Sequence, residues 1–520
     1  MLSWLKTAPE SDHPLADPRA AKEILSSLPT GTPLVALETL SEYLDSVREA
    51  AGLSAARTLE IIEHIDQTGK PFHRLLTREY LDHGLQHRAA GMRIAHVEAT
   101  FWDCLAKAYR MALESHEVGD PTAQNLRAKI PTIGARAIRA FNLHLKWCLL
   151  RYTPVDPGLW GSLARVFSIA ERHKVASVNV EVYPGPWGIS SVRREMLKAM
   201  MLAVSSTDAL PKPQIEIVER ICAQYSEFFT LQEQPAPGVH FRFDLDTDHP
   251  PARALGAGHD GPGMRYFGPS AAAPHLKKLA QDIRATGAVP STVNLGSAYP
   301  VYDVVRVLEH LAHYWAPIPP ARREKRRPSE EGIEVVHGFG DIVAAVDAEE
   351  FGWNFDVNKY EDWGLSDESP AGFGALVPAG RGDWVTLGDL VGVRYLDEGV
   401  AWGVGIVRRL SVQENNQRQV GIELLSRGAI RVALSSLRSD GTHNPDPRTA
   451  VDAMLLPSSS DNSVGRLTTR IAVKPGSFDL RSSYGLMLYG MDYLLVPKGV
   501  IEQTEDYAIA EYRLLLKTVD

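Results

Sequence analysis

Apolar residues recur at helical spacing along roughly the first 230 positions of the chain. Leu37, Leu40, Leu44 and Val47 share one face and stop near Gly52, and Leu59, Ile62 and Ile65 do the same ahead of Gly69. Further helices are expected over about 88–116, 134–151, 158–173, 190–206 and 213–229, joined by polar or Pro/Gly segments. Amphipathic helices of this kind cannot bury their stripes alone, so the pattern predicts a bundle or a helical repeat over 31–232. No fixed period supports the repeat. The first thirty residues are rich in Pro, Ser and Ala, show no sustained period, and read as a loosely held arm.

Past residue 232 the period changes. Val239, Phe241, Phe243 and Leu245 alternate with His240, Arg242 and Asp244, as in a half-buried strand. A Gly/Pro-rich loop (253–263), a short strand near Met264–Phe267 and helices over 270–286 and 302–316 complete an α/β connecting segment, 233–316. Pro317, Pro319 and Pro320 mark the clearest domain boundary. Beyond it, Ile333–Val336, Phe373–Val377, Leu390–Leu396, Ala401–Leu410 and Gln419–Leu425 are short apolar runs separated by Gly, Asp and Asn. They predict a small antiparallel barrel within 317–438. Strand-like pieces near 428–434, 466–473, 484–489, 491–496 and 506–515 flank or follow a Ser/Asp/Asn/Pro-rich stretch, 439–463. They extend the barrel or form a separate β appendage over 464–520. The expected fold class is thus α+β and multidomain, with a mostly helical N-terminal region, an antiparallel β-barrel and a β-rich C-terminal extension.

Composition narrows the function. With 44% hydrophobic and 23% charged residues the chain has the make-up of a soluble globular protein. A net charge of -9 argues against a chain-wide grip on nucleic acid, which depends on neutralising many phosphates. Cys104, Cys148 and Cys222 are scattered and read as buried or inert thiols in a reducing compartment. Without a signal-like N-terminus or a long uncharged apolar run, a cytoplasmic location and no membrane insertion are expected.

Any anion site must therefore be local, and two segments supply its parts. Arg322-Arg323-Glu324-Lys325-Arg326-Arg327 sets five positive charges against one negative. Guanidinium groups pair with phosphates in a fork and stack on purine faces, so such an arm can wrap a small flat anion. About forty residues on, Asp367-Glu368-Ser369-Pro370-Ala371-Gly372 places a carboxylate, a hydroxyl and a glycine at D-x-S-x-x-G spacing. Asp367 can accept from the N1–H and N2 amino group of a guanine, Ser369 can bond the ligand edge, and Gly372 lets the backbone come close.

Together these segments resemble the PilZ family over residues of about 321–434, a fifth of the chain. Arg323 and Arg327 match its R-x-x-x-R, with Arg322 preceding, or Arg322 and Arg326 in the alternative register; Asp367, Ser369 and Gly372 match its second motif. The phrases at 388–393, 404–409 and 420–425 are similar to the family's barrel strands. The resemblance implies a receptor that folds its arm over cyclic di-GMP, often as an intercalated dimer of the nucleotide. By that likeness the arginines contact phosphates and guanine faces, and Asp367 and Ser369 read a guanine edge. The chain departs from the family in a long gap between Arg327 and Asp367. There, 341–363 reads as an insertion whose Trp353, Phe355, Tyr360 and Trp363 cap the barrel rather than stack on ligand.

The expectation is a non-enzymatic receptor with no cofactor, relaying binding to an unidentified downstream protein. The competing reading is a helical scaffold whose degenerate barrel and basic arm dock on a protein or RNA. A third, an enzyme seated in 235–300, rests on weaker signals. Gly256–Gly261 spells G-x-G-x-x-G but is followed by Pro262 rather than a helix. Asp244, Asp246, Asp248 and His249 lack the glycine and distal glutamate of a calcium loop. His310 and His313 have no third ligand.

Overall fold

The computed structural model describes residues 11–82, 88–185, 188–254, 261–295, 299–318, 325–351, 359–396, 401–413, 415, 417–436, 450–457, 468–476, 479 and 482–517. The chain divides into two compact units, 1–320 and 321–520.

The first unit begins with α1 (Pro18–Ser26), α2 (Pro33–Glu49), α3 (Ala55–Asp82), α4 (Arg88–Glu117), α5 (Ile130–Leu150) and α6 (Pro157–Arg172). A two-stranded ribbon, β1 (Val180–Glu181) with β2 (Ile189–Ser190), leads to α7 (Val192–Ala203) and α8 (Lys212–Gln224). Next come strands β3 (Thr230–Gln232), β4 (Phe241–Asp244), β5 (Ala252–Arg253) and β6 (Met264–Gly268), then α9 (Ala272–Thr286) and α10 (Val301–Tyr314). Helix α5 is apolar nearly all round, and it is buried accordingly. The stripe Leu37, Leu40, Leu44 and Val47 faces the same core.

Three features differ from the sequence expectation. Residues 18–26 are helical rather than loosely held: Asp17 accepts from the backbone N–H of Arg19 and Ala20, Pro18 opens the helix, and Leu15, Ala21 and Leu25 are buried. Helix α3 does not stop at Gly69 but runs on through Pro71 to Asp82. At Gly69 an added Cβ would stand 3.0 Å from Nε2 of His73 and 3.1 Å from Phe101, so the glycine serves close packing, not termination. Nor is 233–316 a separate connecting segment. Its four-stranded sheet, ordered β3-β6-β4-β5, includes residues before 233, and Phe241, Phe243, Phe267, Leu276 and Leu308 join the apolar core of the helices. Phe243 meets Trp160 of α6 edge-on at 6.3 Å between ring centroids.

Ion pairs inside this unit carry a pH signature. Glu195 on α7 is fully buried and accepts from Arg139 at 2.7 Å and Lys198 at 2.8 Å. Burial raises its carboxyl pKa, but the two cations outweigh burial and hold it at about 2, below the usual 4.5. A carboxylate depressed in the folded state adds stability that is complete above the unfolded pKa and is lost as pH falls from about 4.5 towards 2. The contribution is about 3 kcal/mol. Urea unfolding followed by helical circular dichroism should therefore weaken between pH 5 and pH 3, and less so in Glu195→Gln. Equal pH slopes for the two proteins would exclude this role.

The second unit starts at β7 (Arg327–Pro328) and β8 (Gly332–His337), followed by α11 (Phe339–Phe351), β9 (Glu361–Ser369) and β10 (Gly372–Val377). Strands β11 (Leu390–Tyr395), β12 (Gly403–Val412) and β13 (Arg418–Ser426) follow. Every pairing is antiparallel, and the ring β8-β9-β10-β13-β12-β11 closes on itself because β11 pairs β8 and β9 pairs both β8 and β10. Its interior takes alternate residues: Ile333, Val335, Trp363, Leu365, Phe373, Ala375, Val393, Val420 and Ile422 are buried.

A second closed barrel is built from β14 (Ile430–Ser436), β15 (Val451–Leu456), β16 (Thr468–Val473), β17 (Tyr484–Leu488), β18 (Met491–Gln503) and β19 (Ala508–Leu516). The C-terminal strands are thus a barrel of their own. Residues 430–436, expected in the first barrel, begin the second, and β15 lies inside the polar stretch 439–463. The two barrels share apolar contacts among Val336, Leu390, Trp402, Met454, Leu456 and Ile509. Helix α11 adds Ile342, Ala345 and Val346 to that core, so much of the expected 341–363 insertion is a core helix. Across the same junction Arg408 bonds Glu423 at 2.7 Å and Glu502 at 2.6 Å.

Candidate functional site

The D-x-S-x-x-G segment ends β9, turns through Pro370-Ala371 and starts β10. Gly372 stands opposite Ser369, Phe373 opposite Glu368, and Gly374 opposite Asp367. The next pair is Ala375 with Leu365, so Ser366 is one residue too many on β9. Trp363 and Leu365 point inward, and strict alternation would send Asp367 inward too. The bulge reverses the parity and sets Asp367 beside Gly374 on the outer wall, 31% exposed.

Gly372 has a φ of +150°. A Cβ there would overlap the carbonyl oxygen of Ile422 on β13, so no other residue fits without moving backbone. Ser369 Oγ donates to the carbonyl of Gly372 at 3.1 Å and pins the turn. Leu424 N–H donates to Ala371 O at 2.9 Å and ties the same turn to β13.

The basic segment lies directly against this turn. β7 pairs with β9 so that Arg327 stands opposite Glu368 and Pro328 opposite Asp367. It takes up the edge of β9 that β8 leaves beyond Gly364. The Arg326 guanidinium donates to Asp367 Oδ1. Lys325 and Arg327 are exposed. Arg322 and Arg323 lie outside the described residues. Of the named site residues, the structure therefore brings together Arg326, Arg327, Asp367, Ser369 and Gly372.

Neighbouring residues that the motifs do not name complete the surface. On the outer wall one cross-strand row reads Asp367, Gly374, Gly421, Arg409, on β9, β10, β13 and β12. Two adjacent strands thus present no side chain between an acid and a cation whose backbones are roughly 14 Å apart, three strand spacings. Ser366 and Asp367 lean over Gly374, where a Cβ would sit 2.7 Å from Ser366 Oγ and 3.0 Å from Asp367 Oδ2. The stem of Arg409 lies over Gly421, 3.1 Å from the place of its absent Cβ. The signal in the sequence was two glycines inside apolar runs, which often marks close approach of another group.

Of the aromatic residues named in 341–363, Tyr360 and Trp363 pack into the barrel, as expected. Trp363 is 1% exposed and its Nε1 donates to Glu361 at 2.9 Å, while Tyr360 sits 5.3 Å from Trp402 between ring centroids. Trp353 and Phe355 lie outside the described residues.

The weaker signals resolve into structure. Asp244 caps its own turn by accepting from Asp246 N–H at 3.0 Å, and His310 bonds the Ser205 carbonyl at 2.7 Å. Residues 256–260 of the glycine loop lie outside the described residues. Cys104, Cys148 and Cys222 are free and buried, and burial pushes the first two thiols up to about 12 and about 11. Among the described residues no helix is long and apolar enough to cross a membrane, and no three metal-ligating side chains cluster.

The fold and site thus define a helical unit followed by paired β-barrels, the first bearing a basic segment clasped to an acidic turn. The family described as "Cyclic-di-GMP receptor FimW, N-terminal domain" matches residues 19–236, which lie within the helical unit. No curated protein matches the chain.

Proposed function

We propose that this protein is a cyclic di-GMP receptor whose nucleotide seat is the outer wall of the first barrel, a PilZ-like site. The observation that carries the reading is the contact of Arg326 with Asp367, because it brings the basic segment and the D-x-S-x-x-G turn to one place on the surface. Two independent sources agree on the ligand. The similarity of residues 19–236 to the N-terminal domain of a cyclic di-GMP receptor lies wholly outside the motifs from which the nucleotide was inferred.

In this reading Arg322, Arg323, Arg326 and Arg327 take the phosphates and guanine faces, singly or around an intercalated nucleotide dimer. Asp367 exchanges Arg326 for the N1–H and N2 amino group of a guanine, and Ser366 and Arg409, which lean over Gly374 and Gly421, border the base. Ser369 and Gly372 shape the turn. The protein acts as a non-enzymatic receptor with no cofactor. Closure of 322–327, at the start of the second unit, alters the surface offered to a downstream protein.

Calorimetric titration of the full chain with cyclic di-GMP tests this. Binding should occur, and Arg323→Ala with Arg327→Ala should weaken it by about 100-fold, two charge-assisted contacts at about 1.5 kcal/mol or more each. Unchanged affinity in the double variant would remove the arm from the mechanism. No affinity at all, together with salt-sensitive capture of RNA or a protein, would favour the scaffold reading.

A further inference from the structure

The helical unit holds a second concentration of cations, unrelated to the arginine arm. Tyr183, in the connection between β1 and β2, has Lys70 Nζ 3.8 Å from its ring centroid, with the guanidinium carbons of Arg139 and Arg136 at 5.3 and 5.5 Å. Lys70 and Arg74 are one turn apart on α3, and Arg136 and Arg139 are one turn apart on α5. Like charges held this close repel one another unless anions intervene.

The nearby carboxylates are already committed. Glu63 accepts from Arg136 at 2.8 Å and also pairs with Lys129 at 3.8 Å. Glu195 is shared between Arg139 and Lys198. Asp66 is fully enclosed and accepts from the hydroxyls of Tyr109 at 2.7 Å and Tyr183 at 2.9 Å. Glu219 acts on Arg139 and Lys198 only through space. Six cations are thus set against four acids, of which Glu63 and Glu195 touch a cation. Among the described residues two of the cations lack an acid in contact: half-buried Lys70 donates to the neutral Gln67 Oε1 at 2.7 Å, and exposed Arg74 has no ion pair. Burial lowers the Lys70 pKa, Asp66 opposes this, and Arg136, Arg74 and Arg139 lower it further. A chain with net charge -9 gathers this surplus in one half-buried place.

We propose that Lys70, Arg136 and Arg139 around Tyr183, with Arg74 one turn from Lys70 on α3, form an anion site for a phosphate-bearing solute. Guanidinium and ammonium donors from two helices suit a phosphate, which offers several acceptor oxygens to separate donors. The already bonded carboxylates keep the arginines in place, so the site is set before the anion arrives. This inference does not depend on the cyclic di-GMP reading of the barrel.

The test uses the full chain and pyrophosphate as the probe, read by thermal shift and phosphorus NMR in low-salt, phosphate-free buffer. Pyrophosphate should stabilise the wild-type protein, and Lys70→Gln with Arg74→Gln should weaken its binding at least tenfold. Without anion, that double variant should stay within about 1 kcal/mol of the parent's stability, because the repulsion it removes offsets the Lys70–Tyr183 contact it loses. An undiminished pyrophosphate shift in the variant, or a wild-type shift matched by sodium chloride at equal ionic strength, would overturn the site. Cyclic di-GMP added to Asp367→Ala separates the sources of phosphate. Residual binding abolished by the Lys70/Arg74 changes assigns the nucleotide to this site as well. Pyrophosphate binding without residual nucleotide binding assigns it to another phosphorylated solute.

Discussion

Gly372→Ala should destabilise the first barrel by about 3 kcal/mol or more, the size expected for combined backbone strain and steric overlap. The positive φ alone disfavours any side chain, and the new Cβ would meet the Ile422 carbonyl, which is held in the β10–β13 ladder and cannot swing aside. Relief would require opening that ladder beside the turn, and Asp367 would move with it. Gly364→Ala is the matched control, because a Cβ at Gly364 meets nothing within 4 Å. Tryptophan fluorescence during urea unfolding, reporting on Trp363, Trp384 and Trp402, should show an early transition for Gly372→Ala alone. Equal midpoints for both variants would contradict the packing described for the turn.

The largest effect on binding is expected at Asp367. Asp367→Ala should weaken cyclic di-GMP by about 100-fold, because it leaves the N1–H and N2 donors of a buried guanine without acceptors at about 1–3 kcal/mol each. Asp367→Asn keeps the shape and one acceptor oxygen, and should retain more affinity than alanine. Selectivity should fall as well, so that guanine and adenine cyclic dinucleotides become hard to distinguish. Calorimetry with cyclic di-GMP and cyclic di-AMP checks both points. A wild-type preference preserved in Asp367→Ala would place guanine recognition elsewhere.

Much of this was legible because burial on one face imposes a period. The stripes of α2 and α4–α8, and most of the strands of both barrels, follow directly from that constraint. The two halves of the site were legible for a different reason: an arginine run and D-x-S-x-x-G are spelled in residue types with few structural uses in that order. What escaped has physical causes. The inward parity of β9 (Trp363, Leu365) is broken at Ser366, so its second half, with Asp367, Glu368 and Ser369, reads as polar turn. The bulge that hides the strand is also what puts Asp367 outside. Helix α11 buries Ile342, Val343, Ala345 and Val346 against strands from both barrels rather than along a simple stripe, so 341–363 looked like an insertion. Asp17-Pro18 was a readable helix start, but the prolines around it outweighed the cap. Glycine was the hardest residue to interpret: Gly69 continues a helix, while Gly374 and Gly421 shape the surface from strand interiors. Each role depends on what approaches the missing Cβ, and that is set by residues distant in sequence.

Ring closure in both barrels limits how another protein can read this unit's state. Strand addition needs an unsatisfied row of backbone donors and acceptors. Here β9 is sealed by β8 and β7 on one side and β10 on the other, and β14 meets both β15 and β17. A downstream partner engaging this unit at β9 or β14 would therefore have to recognise side chains or loops, where a change of charge around residues 326 and 367 can be felt without rebuilding a sheet.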